Sequence, residues 1–263
     1  MAKVSGLFLL EDAVNKNYIV PALNISSIAM AKAVLNGAQK AKAPIFLQTN
    51  MKNIENFPGT MHPGQQLNSL VKNYDLPIAI HLDHASDTSI ISEAYQNHYS
   101  SFMLDYSNYS LETNITKIEQ ASKDIDFTES GLEAELGVIE GESELFDKNE
   151  NNALYTDPDQ ATIFIQKTKI DSLAISIGSR HGLGSSIDYK ILADIHKKIN
   201  KPLVVHGGSG ININDFVNLN EHGVKKINFG TKLHKIFSDE SKHIELANYI
   251  FTLCYNLNAN DKI

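Results

Sequence analysis

The chain has a single cysteine, Cys254, and a single arginine, Arg180. One thiol excludes an internal disulfide framework and suits a reducing compartment, so a cytoplasmic location is the expectation. Cys254 reads as a small apolar residue of a C-terminal helix. No apolar stretch approaches the roughly 20 residues of a membrane span. The opening Met1-Ala2-Lys3-Val4-Ser5 lacks a signal peptide's long apolar region, so no membrane partner is expected. Basic runs are missing too, and the net charge is -8, which argues against nucleic acid or an anionic lipid surface as partner. Repeats, low-complexity tracts and linkers are absent, which makes residues 1–263 one domain.

What is present is a recurring alternation. Short runs rich in Ile, Val, Leu and Ala stand at Tyr18–Asn24, Pro44–Thr49, Pro77–Asp83, Ser101–Asp105, Gly131–Gly137, Asp171–Ile177, Pro202–Gly207 and Lys225–Phe229. Most are apolar on both faces, as parallel strands buried on both sides are. Between them, Ile28, Ala31, Val34, Leu35 and Ala38 follow helical spacing, as do Ile187, Ile191, Leu192 and Ile195. Ser26-Ser27 and Asp157-Pro158 read as helix starts, and Gly223 as a helix end leading into the last strand. Eight such units predict an α/β fold, a (β/α)₈ barrel, which needs roughly 250 residues. An open doubly wound sheet would carry a glycine-rich turn after its first strand, and Pro21-Ala22-Leu23-Asn24-Ile25-Ser26 has no glycine. Val138 to Asp157 forms one long acidic connection; a lid and a solvated surface loop are both open readings.

The predicted strand ends are polar almost without exception: Asn24, Gln48, Asp83 with His84, Asp105 with Ser107, Glu133 with Glu135, His181, His206, and Asn228 with Thr231. Unpaired polar groups near a barrel core cost free energy, so this placement points to a site. His84, His181 and His206 each follow a different strand, the pattern of three neutral nitrogen ligands around a catalytic metal with an open position. His81 and Asp83 share a face in extended chain, with His84 turning off at the strand end. That favours His84 as ligand and His81 as its support. His62, His98, His196, His222, His234 and His243 sit in polar or helical contexts and read as surface or packing residues. Asp83 is either the proton carrier beside the metal or a group that orients a histidine. His206-Gly207-Gly208-Ser209-Gly210 and Asn228-Phe229-Gly230-Thr231 follow the last two strands, the usual barrel location for a phosphate.

In this order the residues resemble the class II, metal-dependent ketose-bisphosphate aldolases, fructose- and tagatose-bisphosphate aldolases among them. The resemblance runs from about Tyr18 to Phe237. It is carried by Val20-Pro21-Ala22-Leu23-Asn24, His81-Leu82-Asp83-His84-Ala85, Asp105 with Ser107, Glu133-Ala134-Glu135-Leu136-Gly137, Ser176-Ile177-Gly178 with His181-Gly182, His206-Gly207-Gly208-Ser209-Gly210, and Lys226-Ile227-Asn228. It implies a lyase that cleaves a phosphorylated ketose reversibly to dihydroxyacetone phosphate and an aldehyde. It implies Zn2+ or another divalent metal on His84, His181 and His206, with Glu135 as an alternative ligand. A monovalent cation, Na+ or K+, near the phosphate and a homodimer or homotetramer are further implications. Asp83 then exchanges a proton with the aldehyde oxygen. Asn24, Gly182, Gly207, Ser209, Asn228 and Thr231 contact the dihydroxyacetone phosphate.

The chain also departs from the family. Ungapped alignment puts Ser143 where the family has a proton-abstracting glutamate, leaving its neighbours Glu142 and Glu144 as candidates. Asn50 replaces a serine, and Asn108 a histidine. The loop Gly182-Leu183-Gly184-Ser185-Ser186 is short. No arginine stands beyond the eighth strand, where relatives hold a second phosphate. Arg180 is the substitute anion anchor, or else a structural residue paired behind the barrel rim. Two other readings compete with the lyase. One is a degenerate barrel that binds metal and a phosphorylated ligand without turnover. The other is a zinc hydrolase, which would prefer a His-x-His pair that Val20–Asn24 lacks.

Overall fold

The computed structural model of the chain describes residues 3–139, 155–179 and 185–263. Helix α1 (Gly6–Lys16) precedes β1 (Val20–Asn24), α2 (Ile28–Ala41) and β2 (Ile45–Asn50). Two short helices follow, α3 (Met51–Glu55) and α4 (Pro63–Val71), then β3 (Ile78–Ala85), α5 (Thr88–Gln96), β4 (Ser101–Leu104) and α6 (Leu111–Asp124). The second half runs β5 (Leu132–Leu136), α7 (Pro158–Lys167), β6 (Ser172–Ile175), α8 (Tyr189–Lys198), β7 (Leu203–Val205), α9 (Asp215–Glu221) and β8 (Val224–Phe229). Helices α10 (Thr231–Ile236) and α11 (His243–Asn256) end it. Every strand pairs in parallel with its sequence neighbours, and β1 pairs with β8, so the sheet closes into the (β/α)₈ barrel read from the sequence. Among the described residues no helix is long and apolar enough to cross a membrane.

Local chemistry explains most boundaries. The Ser27 hydroxyl accepts from the Met30 N–H at the start of α2, and Asp157 from the Asp159 and Gln160 N–H groups at the start of α7, where Pro158 occupies the first turn. Gly223 takes φ 82° after α9, a left-handed position that favours glycine. Asn50 is engaged locally: its side chain and that of Asn53 form a reciprocal cap at the start of α3. Ile187 falls just before α8, so the apolar period there begins two residues ahead of the helix.

Among the described residues the core has two parts. The larger lies between the strands and the outer helices, and a separate small one, Met103, Ala174 and Val204, lies inside the barrel. Helix α1, which the strand-helix alternation does not announce, seals the N-terminal mouth. Its Gly6 N–H donates to the Ser100 carbonyl (3.0 Å), and Leu7 to Ser130 (3.2 Å). Helix α11 returns to pack on α2, where a methyl group on Gly37 would stand 2.4 Å from the Ala247 carbonyl oxygen. Helix propensity would reward alanine there by about 1 kcal/mol, but the clash with backbone outweighs it. Gly37→Ala is therefore expected to destabilise the fold by about 1–3 kcal/mol, read as a lowered urea midpoint. An unchanged midpoint would show that α11 is free to move away.

Candidate active site

The C-terminal strand ends bring Asp83, His84 and His206 together, with ligand atoms close enough to share one metal ion. His84 reaches the group through an irregular strand end. Its φ is 50°, and the β3–β4 register shifts between Leu82 and Ala85. Strict alternation would turn Asp83 and His84 to opposite faces. The left-handed residue breaks that alternation, a strained conformation of the kind found at functional sites.

The imidazoles of His84 and His206 meet edge to face, with His84 Nε2 3.0 Å from His206 Nδ1. Two nitrogens bound to one tetrahedral zinc at about 2.0–2.1 Å would lie about 3.3 Å apart, so this spacing needs little change to admit the ion. The far nitrogen of each ring faces a carboxylate. His84 Nδ1 is 2.9 Å from Asp105 Oδ2 and 3.9 Å from Glu135 Oε2. His206 Nε2 is 3.1 Å from Glu133 Oε1. Such carboxylate–histidine pairs fix ring orientation in metal sites. Burial raises the Asp105 carboxyl, but the His84 hydrogen bond and charge, together with Ser107, outweigh it and hold it well below the usual carboxylate range.

Asp83 is buried and held by three amides. Asn24 Nδ2 (3.3 Å) and Gln48 Nε2 (3.1 Å) donate to Oδ2, and Asn228 Nδ2 (3.1 Å) donates to Oδ1. Gln48 Nε2 also donates to Asn24 Oδ1. The barrel register explains the gathering, since Asn24 pairs with Gln48 across β1–β2 and Gln48 with His81 across β2–β3. Two buried oxygens here, Gln48 Oε1 and Asn228 Oδ1, have no partner among the described residues, and unmet acceptors lining a site are available to a ligand.

Below this layer Glu133, one of the polar strand ends, and His81 meet a charge that strand-end position did not single out. Lys226 is fully buried, donates to Glu133 Oε2 at 2.8 Å, and has its Nζ 3.5 Å from His81 Nε2 and 5.4 Å from the Phe46 ring centre. His81 Nδ1 is in turn 2.7 Å from Ser101 Oγ. Burial, then the Lys226 charge, pushes the His81 imidazole well below its ordinary value, which favours the neutral ring. Burial opposes ionisation of Glu133, yet Lys226 and the adjacent histidines hold its carboxyl far below the usual range. The available sequence signal was Lys226 two residues before Asn228, on the same face of a run that reads as strand.

Of the expected phosphate contacts, Gly207 is buried with φ 70°, and Ser209 Oγ accepts from the Lys232 N–H at the start of α10, next to exposed Thr231. Gly208 cannot carry a side chain, because a methyl group would meet Ile227 Cγ2 at 2.4 Å. Glu142, Glu144, Arg180, His181 and Gly182 lie outside the described residues. His62 caps α4, and His196 packs edge to face on His222, ordinary roles for these rings.

Comparison with known proteins agrees with this architecture. The family model for class II fructose-bisphosphate aldolase matches residues 4–259. A crystal structure of the YdjI aldolase from Escherichia coli K12 superposes with a TM-score of 0.81 at 23% identity, covering 98% of both chains. The fructose-bisphosphate aldolase of Campylobacter jejuni superposes with a TM-score of 0.82 at 23% identity, covering 100% of this chain and 97% of that one. At such identity the superpositions speak for the fold.

Proposed function

The chain belongs to the class II fructose-bisphosphate aldolase family, a family of lyases, and from that premise we propose that it cleaves a phosphorylated ketose reversibly to dihydroxyacetone phosphate and an aldehyde, using a divalent metal, zinc first. The observation that carries this reading is the approach of His84 Nε2 and His206 Nδ1 to 3.0 Å beside Asp83. The donor set suits zinc: two imidazoles backed by carboxylates, with His181 as the proposed third ligand and Glu135 as an alternative. A metal held there supplies Lewis-acid polarisation of a carbonyl oxygen.

The chain's own residues supply the proton chemistry. Asp83, fixed by three amides, takes the proton from the ketose hydroxyl during cleavage and returns it to the aldehyde oxygen during synthesis. Gly182, Gly207, Ser209, Asn228 and Thr231 hold the phosphate end, and Asn24 orients Asp83 beside the substrate. Arg180 is the proposed anchor for the anionic end of the aldehyde half. Glu142 or Glu144 removes the proton beside the dihydroxyacetone carbonyl. A Glu142→Gln/Glu144→Gln variant is expected to lose proton exchange at that carbon, followed by solvent deuterium uptake, while keeping its metal. Exchange at the parent rate would assign this step elsewhere. The function as a whole is tested by metal analysis with retro-aldol assays over phosphorylated ketoses. Release of dihydroxyacetone phosphate that stops on chelation and returns with zinc is expected; cleavage indifferent to chelation would refute metal dependence.

A further inference from the structure

His206 Nε2 faces two groups with opposite demands. Glu133 Oε1, a carboxylate oxygen, lies 3.1 Å away and accepts; Asn228 Nδ2, also 3.1 Å away, donates. The Asn228 amide cannot turn to relieve the conflict, because the same Nδ2 donates to Asp83 Oδ1. If Glu133 prevails, Nε2 carries the proton and Nδ1 presents a bare lone pair toward His84. If Asn228 prevails, Nε2 is bare and Nδ1 carries a proton, which blocks the nitrogen that faces the candidate metal position. A charged acceptor makes the stronger bond, roughly twice a neutral one. Glu133 therefore sets the tautomer for as long as its charge and aim are kept.

Lys226 keeps both. Its ammonium grips Oε2 at 2.8 Å, which leaves Oε1 aimed at the histidine. His81 and Ser101 back the lysine from below, and the whole run from Ser101 to His206 is buried. Stability does not explain the pair, because apolar residues of similar volume commonly serve a core as well as a buried ion pair. We propose that Lys226 is a positioning residue of the metal site: by anchoring Glu133 it holds His206 in the Nε2–H tautomer and keeps Nδ1 bare for the metal. The inference rests on the reading of His206 as a metal ligand.

The test uses the full chain in its metal-free and zinc-loaded forms. Nitrogen-15 spectra of the metal-free parent, with the His206 signals assigned by their loss in His206→Gln, are expected to show the Nε2–H tautomer. In Lys226→Met the Nδ1–H form gains population, and zinc affinity, measured against a chromogenic chelator, falls about 10–100-fold, the usual cost of losing an outer partner. Should the single variant not fold, Lys226→Met/Glu133→Gln removes both charges at nearly equal volume and is expected to give the same two shifts. Zinc affinity within about twofold of the parent, with the tautomer unchanged, would overturn the proposal. So would a metal-free parent already in the Nδ1–H form. A parent that binds no zinc refutes the metal reading instead, and the tautomer spectra of parent and variant then decide this inference alone.

Discussion

Replacing Asp83 by alanine is expected to slow carbon–carbon cleavage by about 10²–10⁴-fold, the range for a general acid–base group, while the protein keeps its metal. The two half-reactions separate. Cleavage needs a base at the hydroxyl that becomes the aldehyde oxygen. Proton exchange on dihydroxyacetone phosphate occurs at another carbon and is expected to survive. The substitution also deprives the Asn24, Gln48 and Asn228 amides of their shared acceptor. Each buried group left unmet costs about 1–3 kcal/mol unless water enters the space, so a lower melting temperature accompanies the lost activity. Loss of exchange together with cleavage would give Asp83 a different job.

The largest expected effect on stability is at Lys226. Lys226→Ala leaves the Glu133 carboxylate without its cation in the barrel interior, and breaking a buried pair this way costs about 3–5 kcal/mol. The neutral double variant is expected to recover most of that loss in denaturant titrations. The pH dependence follows from the depressed Glu133 carboxyl. Its contribution is complete above the ordinary glutamate value of about 4.3, and is lost as pH falls from there toward the lower folded value. Acid unfolding of the double variant should therefore be shallower than that of the parent. Additive losses in the two single variants, with no recovery in the double, would show that the pair is not coupled.

The barrel was legible in the sequence because strands covered on both faces read as short, continuous apolar runs, and all eight fall within a few residues of the observed strands. Helix α1 was less legible because it lies outside the strand-helix alternation; its signals were the Ser5 cap and the Leu9, Leu10, Ala13 face, all buried. The gathering of Asn24, Asp83, His84, His206 and Asn228 could be expected from strand-end position alone, which a parallel barrel converts into proximity. His84 was expected to turn off at the strand end, and it does; the positive φ by which it turns is encoded by no sequence period. The Glu133–Lys226 pair joins residues 93 positions apart. Each sits in a run that reads as strand, and only the closed barrel makes them neighbours. Asn50, a departure from the family pattern, is occupied as a helix cap, which accounts for it locally without reference to catalysis.

X-ray absorption at the zinc edge of the loaded protein tests the central claim most directly. Zinc held by His84 and His206 gives a shell of imidazole nitrogens at about 2.0–2.1 Å, with the imidazole signal or the zinc itself lost in both His84→Ala and His206→Ala and retained in His196→Ala. A shell of oxygens alone, or a spectrum unchanged by removing His84 and His206, would contradict it.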